Sequence, residues 1–305
     1  MVPPMPRPRV RKVVFPAAGL GTRFLPVTKA QPKEMLPLID KPTIQYGIEE
    51  SLASGIEEVV LVTGGGKRAI TDHFDSSPEL VRYLERQGKE DLLEKVRQVE
   101  SLTDKLDVVY VQQKEALGLG HAVWTARHQV EGEAFAVLLA DDVILGAEPA
   151  LKQLIDAHEV AEGATVLAAR RVPRDQISRY GILKLGRSNG RLHEVEDMVE
   201  KPPLADAPSD LAIFGRYILA PDVMEALDHP APGALGEIQL TDAIKQTLDT
   251  GHVVALEFEG DYYDTGTVPG YLRANLALAL RHPELRPAML EVVRELVAPA
   301  ELTGV

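Results

Sequence analysis

Gly19, Gly21, Arg23 and Lys33 stand in one run, Phe15-Pro-Ala-Ala-Gly-Leu-Gly-Thr-Arg23 through Lys33-Glu-Met-Leu-Pro37. Two glycines let the backbone turn so that several N–H groups face one anion. Arg23 can fork two donors onto phosphate oxygens, and Lys33 supplies a compact point charge. The set matches a polyphosphate in shape and charge, so the chain reads as one that handles a nucleoside triphosphate. A dinucleotide fingerprint would need a third glycine where Phe24 stands, and a Walker loop needs Gly-Lys-Ser/Thr. Thr63-Gly-Gly-Gly-Lys67 is followed by Arg68 and has Leu61 where that pattern needs its first glycine, so it reads as a strand-to-helix turn. Lys29 and Lys41 add to the cationic grouping, which a small anionic substrate explains.

Other positions offer complementary chemistry. Ala134 to Asp142 is an apolar run ending in two carboxylates, Asp141 and Asp142. Adjacent acids repel, and a divalent cation relieves that repulsion while bridging phosphates; helix capping by Asp142 is the alternative. Gln112-Gln113 precedes Gly118-Leu-Gly-His-Ala122, and an amide both donates to and accepts from a pyrimidine edge. His121 reads as packed or capping. Glu200-Lys201 pairs hydroxyl acceptors with a cation.

Positioning these groups requires strand ends. Apolar runs at Val10–Phe15, Val59–Val62, Val108–Val111, Ala134–Leu139 and Thr165–Ala168 alternate with helical stretches. That alternation predicts βαβ units and an α/β, doubly wound, Rossmann-like sheet, with ligands beyond the carboxyl ends of the strands. Pro42 suits the first position of a helix that Gly55 ends. Charged amphipathic patterns predict two helices inserted at about 76–105. From Tyr180 the pattern turns to strands, making the sheet mixed, and Asp242 suits the cap of a helix starting near Leu240. The expected organisation is a disordered tail over 1–9, one domain over 10–270 and C-terminal helices over 271–305, at Tyr271–Leu280 and Ala288–Val297. The apolar faces of those helices serve the core first and oligomer contact second.

The 305 residues are 45% apolar, enough for a large core. No apolar run approaches the roughly 18 residues of a membrane span, and the basic, Pro-rich start lacks a signal core, so a cytoplasmic protein without a membrane partner is expected. With no cysteine, thiol catalysis and Cys-ligated zinc are excluded. A net charge of −13 argues against a nucleic-acid partner.

The opening run resembles the signature of the sugar-1-phosphate nucleotidylyltransferases, and Lys29-Ala-Gln-Pro-Lys-Glu-Met-Leu-Pro37 resembles their bacterial uridylyl branch. That resemblance covers nearly the whole chain. It implies a GT-A-like nucleotidyltransferase fold and transfer of UMP from UTP to glucose 1-phosphate, giving UDP-glucose and pyrophosphate. It implies a nucleotide site of Ala17, Ala18, Gly19, Gly21, Thr22, Gln113 and Gly118. Tyr180, Gly181, Glu200, Lys201, Gly215 and Glu237 would hold the sugar phosphate. Arg23, Lys33 and Lys201 would be catalytic. Asp141 and Asp264, the latter in Tyr262-Tyr-Asp-Thr-Gly266, would hold Mg2+, with Asp142 a further candidate. A homodimer or homotetramer is expected. The nearest rival is the same reaction with dTTP, which the Lys-Glu-Met-Leu-Pro run and the inserted helices disfavour. A non-catalytic nucleotide-sugar sensor is disfavoured by the intact charged set.

Overall fold

The computed structural model describes residues 9–229 and 236–296; residues 1–8 of the expected tail and the end of the expected last helix lie outside them. In chain order, β1 (Lys12–Ala17) leads through three short 3-10 turns to the paired strands β2 (Pro37–Leu38) and β3 (Lys41–Pro42). Next come α1 (Thr43–Ala53), β4 (Glu58–Thr63), α2 (Arg68–Phe74), α3 (Pro78–Gln87), α4 (Glu90–Lys105) and β5 (Asp107–Gln112). The middle holds α5 (Leu119–Thr125), β6 (Phe135–Leu138), β7 (Asp142–Leu145), α6 (Ala150–Val160) and β8 (Thr165–Arg171). Then follow β9 (Gly181–Asn189), β10 (Leu192–Glu200), β11 (Leu211–Leu219), α7 (Pro221–Asp228) and α8 (Leu240–Gln246). The described chain ends with β12 (Val253–Glu257), β13 (Asp261–Asp264), α9 (Val268–Arg281) and α10 (Arg286–Leu296).

Among the described residues, nine strands form one mixed sheet in the order β5-β4-β1-β6-β11-β8-β12-β10-β9. The β5-β4-β1-β6 half is parallel, and β11 runs antiparallel to both β6 and β8. Side chains alternate faces along each strand. Val13 and Phe15 of β1 therefore pack with Ile44, Ile48, Leu151 and Leu154 of α1 and α6, while Val14 packs with Val123, Val223 and Ile244 of α5, α7 and α8. All nine residues of β11 are buried, as a strand covered on both faces requires.

Several boundaries differ from expectation for physical reasons. β1 continues through Pro16 to Ala17; β6 pairs only with Val13 and Val14, so Pro16 lies beyond that partner. Pro42 sits at the N-cap of α1 rather than inside it, held in the β2–β3 pairing. The cap of α8 is Gln239, and Asp242 lies within the first turn, where its charge still favours the helix N-terminus. α9 begins at Val268 because Thr267 caps it, its hydroxyl accepting from Gly270 N.

The two-stranded ribbon β7–β13 stands apart from the large sheet. It crosses the chain over some 120 residues and sets Asp264 opposite Asp142. Val143 and Tyr263 seat it against Leu38 and Ala274 of α9. No helix among the described residues is long and apolar enough to cross a membrane.

Candidate active site

The opening loop leaves the carboxyl end of β1 with Gly21 at φ +65°, a left-handed conformation that favours glycine. Thr28 donates to Gly21 O (2.7 Å), which fixes the turn. Ala17 and Ala18 are buried beneath it. A side chain at Gly19 would meet nothing within 4 Å, so its backbone faces open space. Arg23 reaches across to Gly266 O at 3.4 Å. Lys33 Nζ lies 2.5 Å from Asp141 Oδ2. Burial alone would lower the Lys33 ammonium, but Asp141 and then Glu34 outweigh it and raise it. For Asp141, burial pushes up, and Lys33 with Arg23 overcomes that and holds the carboxyl below its ordinary value.

The expected cationic grouping divides. Lys41 turns away to pair with Glu49 (2.7 Å) and lies over the Tyr46 ring; Lys29 is exposed. Arg23 and Lys33 alone of the four face Asp141.

The ribbon explains why Asp141 and Asp264 meet. Thr265 donates through both its N–H and its hydroxyl to Asp141 O, each at 2.7 Å. A Cβ on Gly266 would fall 2.6 Å from Asp141 Oδ2 and 3.2 Å from Asp264 Oδ1. Two carboxylates thus converge on a spot that only glycine leaves open. Asp142 is used differently. Its Oδ2 accepts from Gly215 N (2.8 Å) and its Oδ1 from Tyr262 OH (2.8 Å), and no helix follows for it to cap. Burial and then the Asp141 charge raise its carboxyl above the usual range. Oxygen donors suit a hard divalent cation. Among the described residues no group of three or more acidic or imidazole side chains is placed to hold a metal, so Asp141 and Asp264 would leave the other positions to phosphates and water.

Beneath this pair lies a buried ion pair that sequence reading missed. Arg216, 1% exposed, binds Glu50 of α1 through Nε and Nη2 at 2.7–3.2 Å. It also donates to the carbonyls of Leu139 and Asp142 (3.1 and 2.7 Å), anchoring both sides of the acidic turn. Glu50 Oε1 accepts in addition from Leu151 N at the start of α6.

A cleft of about 530 Å³ joins these groups to the later strands: Arg23, Asp141, Asp264, Tyr180, Glu200 and Lys201 all line it. Gly181 and Gly215 do so as well, and a Cβ on Gly215 would fall 2.5 Å from Asp142 Oδ2. Lys201 has φ +46° and donates through its N–H to Tyr180 O. Such a conformation is strained for a residue with a side chain, and strain of this kind gathers at functional sites. Glu200 meets Lys201 Nζ (3.1 Å) and accepts from Thr241 (3.0 Å). Glu237 is exposed and accepts from Gln239. It is Gln239 and Thr241, not Glu237, that line the cleft. Their place in the run Gly236-Glu-Ile-Gln-Leu-Thr-Asp242 was the available signal.

Thr22 is exposed on the opening loop. Gln113 stands at the end of β5, 6% exposed, its Nε2 donating to His121 Nδ1 (2.8 Å) and Gly118 O (3.4 Å). His121 thus orients the amide and leaves Oε1 as acceptor. Gly118 has φ +105°, and a Cβ there would fall 2.7 Å from Ile238 O, so the Gly118 turn is locked to the segment before α8.

Comparison with known proteins gives a consistent picture. The nucleotidyl transferase family profile matches residues 12–280. The UTP–glucose-1-phosphate uridylyltransferase of Bacillus subtilis (strain 168) is 49% identical over 294 residues, 96% of this chain and 99% of that protein. The one from Staphylococcus haemolyticus is 48% identical over 94% of this chain and 99% of its own length. A UTP-bound UGPase from Acinetobacter baumannii superposes with a TM-score of 0.86 at 38% identity, covering 94% of this chain and 100% of that one. A UDP-glucose pyrophosphorylase complexed with UDP-glucose gives 0.82 at 40%, covering 90% and 100%. The chain therefore belongs to the nucleotidyl transferase family and, within it, to the UTP–glucose-1-phosphate uridylyltransferases.

Proposed function

We propose that the chain transfers UMP from UTP to glucose 1-phosphate in the cytoplasm, working as a homo-oligomer and depending on Mg2+. The observation that carries the reading is the single cleft shared by Arg23, Asp141, Asp264, Glu200 and Lys201. On this reading Arg23 serves the triphosphate, Glu200 and Lys201 serve the sugar phosphate, and the paired carboxylates share the same cleft. The names of its relatives supply the substrates.

Ala17, Ala18, Gly19, Gly21 and Thr22 offer backbone and side-chain donors to the triphosphate. Gln113 Oε1 accepts from a base that carries a ring N–H, as uracil and thymine do and cytosine does not. Lys201 holds the phosphate of the sugar, and Tyr180, Gly181, Glu200 and Gly215 shape the space for the ring. An oxygen of that phosphate attacks the α-phosphorus in line, the α–β bridging bond breaks, and pyrophosphate leaves. A phosphate monoester is already a nucleophile at neutral pH, so no general base is required. Arg23 neutralises the departing pyrophosphate, and Lys33 the charge that builds during transfer. Asp141 and Asp264 would hold Mg2+, which when bound supplies charge neutralisation on the phosphates. Positioning and electrostatics are then the whole of catalysis.

The test is pyrophosphate release by purified protein with Mg2+, glucose 1-phosphate and a panel of UTP, dTTP, CTP, ATP and GTP. Fastest turnover is expected with UTP. Turnover with dTTP and none with UTP would overturn the uridylyl reading, and release without sugar phosphate would indicate a hydrolase.

A further inference from the structure

The Thr63–Lys67 turn, with its three glycines, lies outside the groups assigned above, yet its lysine is one of the more deeply buried cations. Lys67 Nζ stands 2.9 Å from Glu34 Oε2, with side chains 10% and 1% exposed. Glu34 directly follows Lys33. Its other oxygen, Oε1, is buried and has no partner among the described residues, so Lys67 is the direct ion-pair partner of the carboxylate and Lys33 acts on it only through its charge. Burial lowers the Lys67 ammonium against the pull of Glu34. The same turn also touches the opening loop: a Cβ at Gly64 would fall 3.0 Å from Ala18 O. One short turn at the end of β4 therefore lies close against the start of the phosphate loop at Ala18 and is ion-paired to its finish at Glu34.

A buried ion pair is weak evidence for net stability, because desolvation offsets the attraction. What such a pair does fix is geometry. Here the fixed backbone is that of the 3-10 turn Lys33–Met35, from which Lys33 reaches Asp141. The Glu34 carboxylate already acts on the Lys33 ammonium, and without Lys67 it would compete with Asp141 for it unopposed.

We propose that Lys67 is a positioning residue for the transfer reaction: paired with Glu34, it holds the backbone from which Lys33 reaches the acidic pair. This rests on the role given to Lys33 above. The test compares Lys67→Met, Lys67→Arg and the double variant Glu34→Gln/Lys67→Met below the melting onset of each, so that only folded protein is read. Two quantities are followed: kcat for pyrophosphate release, and acetylation of Lys33 by acetic anhydride, mapped by peptide mass spectrometry. Lys12 is the internal standard, its side chain being similarly exposed at 21% against 23%. For Lys67→Met the expected result is a tenfold or greater loss of kcat, a smaller change in KM for the sugar phosphate, and altered Lys33 labelling. Lys67→Arg recovers part of the kcat. The double variant relieves the unpaired charge, yet its kcat stays low because the backbone is no longer pinned. A smaller loss in Lys67→Met, unchanged Lys33 labelling, or return of the double variant to wild-type kcat would each overturn the proposal. If the unaltered protein fails to turn over UTP while Lys33 labelling still responds to Lys67, the substrate reading fails and the positioning proposal stands.

Discussion

Lys33 is held by Asp141, so the cation proposed for transfer also keeps one of the two carboxylates proposed for Mg2+ ionised and in place. Its removal deletes one preorganised charge where charge develops, an effect that typically costs on the order of 100-fold or more in rate. Lys33→Ala should lose about that much kcat while retaining a wild-type circular dichroism spectrum, and near-normal turnover would refute its role. Arg216 makes the contrasting case, since it carries no chemistry and matters through burial. Arg216→Leu leaves Glu50 charged, buried and short of its partner, which should cost roughly 3–5 kcal/mol. Pairing it with Glu50→Leu should recover much of that, because no unpaired charge remains. Urea unfolding midpoints of the two variants check this, and equal losses in both would contradict it.

At the scale of elements, the same contrast separates what the sequence displays from what folding creates. Phosphate-loop chemistry is legible because glycines, Arg23 and Lys33 lie in one run, where local backbone rules apply. The opposition of Asp264 to Asp142 is not legible, because the β7–β13 pairing joins segments about 120 residues apart and neither strand announces its partner. Lys41 was misread for the related reason that closeness in sequence says nothing about direction. The β2–β3 hairpin turns it toward Glu49. Helix ends offer a test of burial against local preference. Asp222 lies in the first turn of α7, where an acid is ordinarily favoured, yet its Oδ1 is buried without a partner among the described residues, and burial raises its carboxyl above 3.8. An acid with a raised folded-state value binds its proton more tightly folded than unfolded. Stability is therefore lost as pH climbs from 3.8 through the folded value. Asp222→Asn should lack this decline and gain on the wild type between about pH 3.5 and about pH 7, as thermal unfolding at the two pH values would show. A constant difference between the proteins would refute it.

Across the whole molecule, the cleft is assembled from both halves of the sheet: the groups proposed for the triphosphate come from the loop after β1, those proposed for the sugar phosphate from β9, β10 and β11. That division is what a reaction between two separately bound phosphates requires, and on the proposed mechanism the reacting atoms would lie by the β7–β13 ribbon, which carries Asp142 and Asp264. The stabilising contacts lie elsewhere, in the two apolar layers, while the Arg216–Glu50 pair fixes the acidic turn from beneath. At the position proposed for the metal, Lys33 already compensates Asp141, and Asp142 is satisfied by Gly215 and Tyr262. Fold and catalysis should therefore separate on chelation. A cation that folding does not need contributes only through ligand linkage, which is small unless it is bound far above its dissociation constant. Excess EDTA is accordingly expected to stop pyrophosphate release while moving the thermal midpoint by less than about 2 °C, and Mg2+ should restore turnover in full. Unfolding on chelation would mean that the carboxylate pair is structural, and persistent turnover in EDTA would mean that Arg23, Lys33 and Lys201 suffice for charge neutralisation on their own.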